Sequence, residues 1–459
     1  MTERSSTRRL LILNDSDPWM MRKRDVRGWL AHGLWFASAG DVVVVMDALP
    51  DDFVDHVLAV KGLGRADVRI VTIPDNAMDF TSFDPQALCS SSFVASVRDL
   101  IGEEHYEADA LWWTRSAIEF VVGVGAALPV PEPSRRFFEA NGYELANSKG
   151  AFRALASTAG VGLPAGAVAY SIEEAIDATR RSLREGRAVM AKRAHGGAGG
   201  ANHLLHTTGW AGDHQRSGAT RATGIDIADP DSISGFWAAE WEWMSNGGGF
   251  SVVVEEFIDD AETFYCEFRI SAHSIGSPHV GQLVFEDGGL AVEIHPRRPE
   301  APGALEALVR QACELAELYR RIGYAGVLSA DAVVGPDGSV LFTEVNARYT
   351  GSTHLYEVMA ALPDRRGRGG ERVVYQATTS ASVSPTTLSQ FLSYLRSHDV
   401  AYDPETGCGA IVLTQFGTPG GGGPLMYNVV ADTFEDAERM ARVVSGFASS
   451  EGGAEGQGR

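Results

Sequence analysis

The sequence has few cysteines, no long apolar run and a shortage of basic residues, and each shortage excludes a class of protein. Four cysteines in 459 residues, without metal-type pair spacing, argue against a disulfide framework and favour a reduced, cytoplasmic location. No apolar run approaches the ~18 residues of a membrane-spanning helix, and the early apolar stretch is too short for a signal peptide. The formal charge of −21 argues against nucleic-acid partners, because most of the surface would repel phosphate.

Glycine, by contrast, is plentiful, and strands alternate with helices near the start of the chain. The 51 glycines cluster instead of recurring with a period, which indicates specific loops. The runs "RRLLILND", "GDVVVVMDALP" and "VRIVTIP" predict buried strands, with segments of helical spacing between and after them. Over residues 1–145 this alternation predicts a doubly wound α/β domain.

A lysine stands in the first turn of a predicted helix in "NSKGAFRALASTAGVG". Asn147 or Ser148 can cap this helix, and Gly160 ends it. Lys149 is then poorly matched to the helix dipole, whose positive end lies there. The lysine is either solvated or placed where an anion docks.

A glycine-rich loop follows a short strand in "AVMAKRAHGGAGGANHLL". The strand delivers Lys192, and the loop contains Gly196, Gly197, Gly199 and Gly200. Glycines let backbone amides approach phosphate oxygens, and a lysine adds charge. The pattern is neither a P-loop nor a dinucleotide fingerprint, so a flexible hairpin loop is equally compatible with it.

The strand in "FSVVVEEFIDDAETFYCEF" ends in two acids and an apolar pair. Glu255 and Glu256 would usually be solvated, but Phe257 and Ile258 beside them suit a flat ring. Glu262 follows at the start of the next strand, and a carboxylate is a suitable partner for two ribose hydroxyls.

The segment "GVLSADAVVGPDGSVLFTEVNAR" predicts a β-hairpin with polar residues on one face. With a loop of two or four residues, Asp331 lies opposite Phe342 and shares a face with Glu344 and Asn346. Three oxygen donors on a covered face favour Mg²⁺, and the alternative is a solvent-facing polar side of the sheet. Arg348 continues this face and could offset the charge on a transferring phosphoryl group.

Two further arginines are candidates for substrate binding. Arg269 lies on a strand and Arg297 follows another, and the guanidinium fork suits a carboxylate. Pairing with surface acids is the alternative for both.

Taken in order, these motifs over about residues 146–360 resemble the ATP-grasp ligases. "EVNARYTGSTHLYEVMAAL" is similar to the corresponding end of the D-alanine–D-alanine ligase type, and its arginine looks like that of the biotin carboxylase branch. The whole layout resembles that of the pheganomycin-type peptide ligases. The 207–250 insertion is long for the family, which leaves the acceptor side unusual.

The resemblance implies a role for each motif. Lys149 and Lys192 would contact nucleotide phosphates under the 196–200 loop. Glu255 would face the adenine edge, the backbone of Glu256 and Ile258 would read it, and Glu262 would hold the ribose. The expected ligands of one or two Mg²⁺ ions are Asp331, Glu344 and Asn346, with Glu344 as the bridge. Arg348 would stabilise phosphoryl and acyl-phosphate oxygens.

The implied architecture is a pre-ATP-grasp α/β domain at 1–145, a two-lobed ATP-grasp domain at 146–374, a C-terminal α+β lobe at 375–448 and a disordered tail at 449–459. The implied activity is ATP-dependent joining of a small carboxylic acid to a peptide or amino-acid amine, with a homodimer as one candidate assembly. Two alternatives stay open, namely another ATP-grasp enzyme, such as a carboxylase or a small-metabolite synthetase, and a non-catalytic nucleotide-binding module.

Overall fold

The computed structural model describes residues 8–16, 27–74, 84–128, 130, 132–197, 199–361, 372–378, 387–415 and 425–447. The predicted tail at 449–459 therefore lies outside the described residues. The chain forms two compact units, the first comprising Met1–Asn141, Ile294–Pro296 and Gly351–Arg459, and the second Gly142–Glu293 and Arg297–Thr350. The domain limits at residues 145 and 374 stay a sequence prediction.

The N-terminal part of the first unit is a parallel sheet with helices. Its elements are β1 (Arg8–Leu13), α1 (Arg27–His32), a 3-10 turn (Gly33–Phe36), β2 (Val42–Val45), α2 (Asp51–Lys61), β3 (Arg69–Thr72), α3 (Pro85–Leu88), α4 (Ser91–Ile101), β4 (Tyr106–Ala110), α5 (Arg115–Val124) and α6 (Glu132–Glu139). The strand order is β3-β2-β1-β4, with every pair parallel. All four valines of β2 are buried, as expected for a parallel sheet covered on both faces. The predicted doubly wound domain is confirmed.

The second unit begins with two helices and a five-stranded sheet. The elements are α7 (Gly142–Ala146), α8 (Lys149–Thr158), β5 (Gly166–Ala169), α9 (Ile172–Arg184), β6 (Val189–Arg193), β7 (Asn202–Thr207), a 3-10 turn (His214–Arg216), β8 (Arg221–Ile225), α10 (Ser232–Met244) and β9 (Val252–Glu256). The strand order is β5-β9-β6-β7-β8. Helices α9 and α10 pack against one face, and the indole nitrogen of Trp237 donates to Thr179 at 3.0 Å inside this core. The 207–250 insertion therefore contributes a strand and a core helix.

The rest of the second unit is built around an antiparallel sheet. The elements are β10 (Glu262–Ile270), β11 (His279–Glu286), β12 (Gly289–His295, whose last two residues belong to the first unit), α11 (Ala304–Arg321), β13 (Gly326–Val334) and β14 (Val340–Asn346). Strands β14, β13, β10, β11 and β12 are adjacent in that order. Helix α11 packs against β10 and β13 with Cys313 near Cys266. Burial, and then the neighbouring Cys313, raise the pKa of the Cys266 thiol. Strand alternation puts Tyr265 and Asp331, which pair directly, on the opposite face.

The predicted pairing of Asp331 with Phe342 is wrong. Phe342 lies opposite Ala332, and Glu344 lies opposite Asp331, because a β-bulge interrupts the ladder between them. From the Val334–Val340 pair at the loop, an unbroken ladder would set Thr343 opposite Asp331 and turn Glu344 to the other face. The bulge shifts the register by one residue and returns Glu344 to the face of Asp331.

The C-terminal part of the first unit contains α12 (Gly351–Ala361), β15 (Val373–Thr378), α13 (Leu388–Ser397), β16 (Gly409–Gln415), β17 (Leu425–Ala431) and α14 (Phe434–Ser445). Within the first unit, the Trp35 indole donates to the Leu413 carbonyl at 2.8 Å, which ties β16 to the N-terminal part. The predicted α+β character of this segment is confirmed. None of the helices among the described residues is both long and apolar enough to span a bilayer.

Candidate active site

The edge of the antiparallel sheet brings together the three predicted metal ligands. Asp331 accepts hydrogen bonds from the Asn346 amide at 3.0 Å and from the Ser329 hydroxyl at 3.1 Å. The same Asn346 amide lies 3.4 Å from Glu344 Oε1. Asp331 and Asn346 are buried, and two carboxylates and an amide oxygen thus share one small, poorly solvated region.

Lys149 lies at the start of α8 and reaches this carboxylate pair. Ser148 caps the helix by accepting from the Ala151 N–H, so of the two predicted caps it is the serine that acts. Lys149 Nζ lies 2.7 Å from Glu344 Oε2 and donates to the Gly196 carbonyl at 2.9 Å. A buried ammonium at the positive end of a helix dipole is unfavourable by itself, and Glu344 offsets it.

Lys192 lies on β6 within a second charged group. Its Nζ lies 2.6 Å from Glu255 Oε1, while Arg153 of α8 holds the other carboxylate oxygen at 2.7 Å. Lys192 also lies 3.4 Å from the carbonyl oxygen of Thr343, the residue that the bulge leaves unpaired. Glu255, 3 % exposed, is therefore the shared counter-ion of two buried cations.

The charge state of the carboxylate pair follows from these neighbours. Burial by itself would raise the pKa of Glu344, but the positive charges of Lys149, Lys192 and Arg348 outweigh it and lower that pKa to about 2. Burial, and then the charge of Glu344, raise the pKa of Asp331 well above its usual range. Asp331 is therefore the harder of the two carboxyls to ionise, and Lys149 offsets the charge of Glu344.

This group of donors fits a divalent cation whose remaining ligands come from phosphates. Among the residues that the structure describes, no group of three or more His, Cys, Asp or Glu side chains could hold a metal by itself. Asp331, Glu344 and Asn346 supply only oxygen donors, the type that Mg²⁺ prefers, and Mg²⁺ usually takes one or two carboxylates plus substrate phosphates. The two carboxylates face each other across the ladder and share one amide neighbour, and this geometry favours a cation at this position.

The glycine-rich loop connects β6 with β7 and approaches Lys149 and Arg348. The Lys149 N–H donates to the Ala194 carbonyl at 3.0 Å, so the loop is attached to the start of α8. A Cβ placed on Gly197 would lie 3.5 Å from Arg348 Nη2. The two predicted lysines, the loop and the carboxylates are therefore neighbours within the second unit.

Arg348 is held by a residue whose role sequence reasoning missed. Asn147 Oδ1 accepts from Arg348 Nη1 at 2.8 Å, whereas the sequence suggested only a capping role for Asn147. Arg153 was also missed, although it lies on the α8 face that carries Lys149 one turn earlier. His195 is buried in the glycine loop, where burial and the charge of Lys149 lower its pKa to about 4 and keep it neutral.

The residues predicted to bind the base and ribose lie at the end of β9 and the start of β10. Phe257 packs with Trp210 against an apolar cluster containing Met190 and Leu204, on the face of β6 that carries Lys192. The Glu256 N–H already donates to the Ala165 carbonyl at 2.7 Å.

Glu262 and Ile258 are more loosely placed in the structure. Glu262 is exposed and accepts from the Gln282 amide at 3.0 Å, and Ile258 is half-buried between the two strands. The roles of Glu255, Glu256, Ile258 and Glu262 toward a nucleotide stay predictions.

The two predicted substrate arginines have different surroundings. Arg269 shares the strand face of Asp331, stacks on the Tyr349 ring at 5.6 Å and donates to its hydroxyl at 3.3 Å. Arg297 follows β12 and lies 3.7 Å from Glu300, which is 85 % exposed.

Comparison with known families and structures places the fold. Residues 32–126 match the family model described as the pre-ATP-grasp domain. No curated protein sequence is similar enough to the chain to count as a match.

Solved structures resemble the chain over nearly its whole length. An N5-carboxyaminoimidazole ribonucleotide synthetase in complex with ADP has a TM-score of 0.57 at 13 % identity, over 97 % of both chains. The biotin carboxylase domain of the Hydrogenobacter thermophilus 2-oxoglutarate carboxylase, with MgADP and bicarbonate, has a TM-score of 0.55 at 13 % identity, over 95 % of this chain and 89 % of that one. An L-amino acid ligase from Bacillus licheniformis has a TM-score of 0.52 at 12 % identity, over 95 % and 96 %. The chain has an N-terminal pre-ATP-grasp domain followed by an ATP-grasp-like fold.

Proposed function

We propose that the protein is an ATP-dependent ligase that activates a carboxylate as an acyl phosphate and joins it to an amine, releasing ADP and phosphate. The observation that carries this proposal is the cluster in the second unit where Lys149, Lys192, Asp331, Glu344 and Arg348 surround one end of a glycine-rich loop. The likeness to structures that contain ADP or MgADP supports the choice of nucleotide.

Binding of ATP exchanges the partners of the buried lysine at α8. Lys149 moves from Glu344 to the phosphates, and Lys192 adds a second positive charge from β6. Asp331, Glu344 and Asn346 would hold one or two Mg²⁺ ions, which supply Lewis-acid neutralisation of phosphate oxygens. The glycine loop covers the phosphates and excludes water, which would hydrolyse an acyl phosphate.

The reaction proceeds in two displacements. A carboxylate oxygen of the first substrate attacks the γ-phosphorus, the bond from that phosphorus to the β–γ bridging oxygen breaks, and ADP leaves. Arg348 offsets the charge on the transferring phosphoryl oxygens. The amine nitrogen then attacks the acyl carbon and loses a proton, and the carbon–oxygen bond to phosphate breaks to give an amide.

The substrates of this ligase are a small carboxylic acid and the amine of a peptide or amino acid. Arg269 and Arg297 are candidates for gripping a substrate carboxylate. The layout of the sequence supports a peptide ligase of the pheganomycin type, which would place the enzyme in peptide natural-product (antibiotic) biosynthesis in the cytoplasm. The likeness to an L-amino acid ligase is compatible with this class of substrates.

The test is ADP release with Mg²⁺ and ATP against a panel of carboxylic acids, each with and without pooled amino acids and peptides, with mass spectrometry of the products. We expect ADP only when an acid and an amine are both present, and a product lighter than their sum by one water. ADP formed with bicarbonate, or with a single small metabolite, would favour a carboxylase or small-metabolite synthetase. Nucleotide binding without turnover, unchanged in Glu344→Ala, would favour a non-catalytic module.

A further inference from the structure

Asn147 uses every hydrogen-bonding position of its side-chain amide. Its Oδ1 accepts from the Ala347 N–H at 3.1 Å and from Arg348 Nη1 at 2.8 Å. Its Nδ2 donates to the Tyr143 carbonyl at 2.8 Å and to the Ala347 carbonyl at 3.2 Å. The residue is 6 % exposed, so water contributes little to this arrangement.

The amide acts toward Ala347 as a neighbouring β-strand would. It pairs with both the N–H and the C=O of that residue, directly after β14 ends at Asn346. The second lone pair of Oδ1 then meets the guanidinium of the next residue, Arg348. Only an amide supplies two donors and two acceptors in this geometry, because a carboxylate would face two carbonyl oxygens without a proton to donate.

The three residues 147–149 attach the start of α8 to two functional segments. Asn147 holds the end of β14, Ser148 caps the helix, and Lys149 holds the glycine loop through the carbonyls of Ala194 and Gly196. The start of α8 therefore fixes the distance between the loop that would cover the phosphates and the arginine that would face them.

We propose that Asn147 is a positioning residue that aims Arg348 at the transferring phosphoryl group. This inference rests on the proposed function, because it gives Arg348 its phosphoryl partner. Asn147 itself touches no substrate. It orders the guanidinium and the backbone that carries it, so its loss lowers phosphoryl transfer more than it lowers nucleotide binding.

The experiment compares Asn147→Ala, Arg348→Ala and the double variant with the unmodified full chain. Calorimetry measures the affinities for MgADP and for Mg²⁺ with a non-hydrolysable ATP analogue. ADP release, with the acid and amine that the ligase assay identifies, measures kcat and KM. We expect Asn147→Ala to lower kcat about 10- to 100-fold, as for a lost hydrogen bond to a charged group, with MgADP affinity nearly unchanged. The preference for the ATP analogue over ADP should fall in both single variants, and the double variant should be no worse than Arg348→Ala.

The matched control is Asn141→Asp. Asn141 is exposed, lies six positions earlier and has a left-handed backbone conformation that aspartate also tolerates. It should leave every measured quantity unchanged. If Asn147→Ala does not fold, the uncharged Asn147→Ser, whose hydroxyl can both donate and accept, replaces it in the double-mutant comparison. The positioning role would be overturned if the losses of the two single variants add in the double variant. It would also be overturned if Asn147→Ala lost as much affinity for MgADP as it loses in kcat. If the unmodified protein prefers the ATP analogue over ADP but makes no amide, the proposed ligase is overturned instead. The two failures are distinguishable because the double-mutant comparison of nucleotide affinities needs neither a carboxylic acid nor an amine.

Discussion

Two buried lysine–glutamate pairs lie in the second unit, and they differ in what surrounds them. Lys192 and Glu255 are 2.6 Å apart on neighbouring strands, and Arg153 adds a second cation to the same carboxylate. Lys149 and Glu344 are 2.7 Å apart, and Asp331 adds a second acid to the same site. The group around Glu255 therefore has two cations and one acid. The group around Glu344 has two acids, and Lys149 is the lysine that contacts one of them directly.

The difference separates a structural counter-ion from an exchangeable one. The side chain of Glu255 is 3 % exposed and both of its oxygens are engaged, so its removal leaves two buried cations without their carboxylate. The side chain of Glu344 is 18 % exposed, and Lys149 keeps a carbonyl partner in Gly196 if Glu344 is lost. We therefore expect Glu255 to govern stability and Glu344 to govern activity.

Glu255→Gln should produce the largest loss of stability. Breaking a buried ion pair by removing one partner costs about 3–5 kcal/mol, because the remaining charge stays buried. Urea denaturation followed by circular dichroism measures the free energy of unfolding. Glu119→Gln is the control, since the exposed Arg115–Glu119 pair contributes at most ~1 kcal/mol. Equal small losses in both variants would remove the structural role assigned to Glu255.

Glu344→Gln should abolish most turnover while leaving the fold nearly intact. Glu344 is an expected ligand of Mg²⁺, and Mg²⁺ would neutralise the charge on the phosphates. Loss of this ligand should lower ATP turnover by roughly a hundredfold or more. Lys149 keeps its Gly196 carbonyl partner, and without the charge of Glu344 the pKa of Asp331 falls, so that its carboxylate can offset the lysine instead. The loss in free energy of unfolding should therefore be smaller than that of Glu255→Gln. Measuring both quantities on both glutamate variants tests the comparison, and a large loss of stability in Glu344→Gln would break it.

Lys149→Met should strengthen the binding of Mg²⁺ in the absence of nucleotide. The Lys149 ammonium pairs with Glu344 and so competes with Mg²⁺ for this carboxylate. Removing the ammonium should raise the affinity for free Mg²⁺ by about tenfold, the equivalent of ~1.4 kcal/mol. The affinity for ADP should fall in the same variant. Calorimetric titration of each ligand alone makes the comparison, with Lys192→Met as the control that keeps the Lys149–Glu344 pair. Weaker Mg²⁺ binding in Lys149→Met would argue against the exchange.

Gly199→Ala should lower stability less than Glu255→Gln does. Gly199 lies in the glycine-rich loop with φ of 76°, and an added Cβ would lie 2.7 Å from the Gly288 carbonyl oxygen and 2.9 Å from that of Gly218. We expect a loss of about 1–2 kcal/mol in stability, from the strained backbone and the contacts. Gly200→Ala is the matched control, because its Cβ would meet nothing closer than 3.6 Å. Indistinguishable melting temperatures for the two variants would contradict this description of the loop.

Much of the fold and of the candidate site was predictable from local pattern. Buried strands, amphipathic helices and a glycine loop follow from hydrophobic period and turn chemistry, which act between residues close in the chain. Lys149 and Lys192 stood out for the same reason, one by its poor match to a helix end and the other by the loop after it. What these residues contact was not predictable, because their partners are distant in sequence.

The sequence by itself indicated most of the charged side chains of the candidate site, and the tertiary structure decided how they meet and added the roles of Asn147 and Arg153. The bulge at Thr343 shifts the strand register by one residue and sets Glu344 opposite Asp331, where the predicted hairpin had Phe342. Glu255 resembles a solvated acid in sequence, and it is a counter-ion only because β6 and α8 bring two cations to it. Asn147 meets Arg348 across 201 residues of chain. Register, charge pairing in a poorly solvated interior and long-range hydrogen bonds depend on packing of the whole unit, and local propensity carries no information about them.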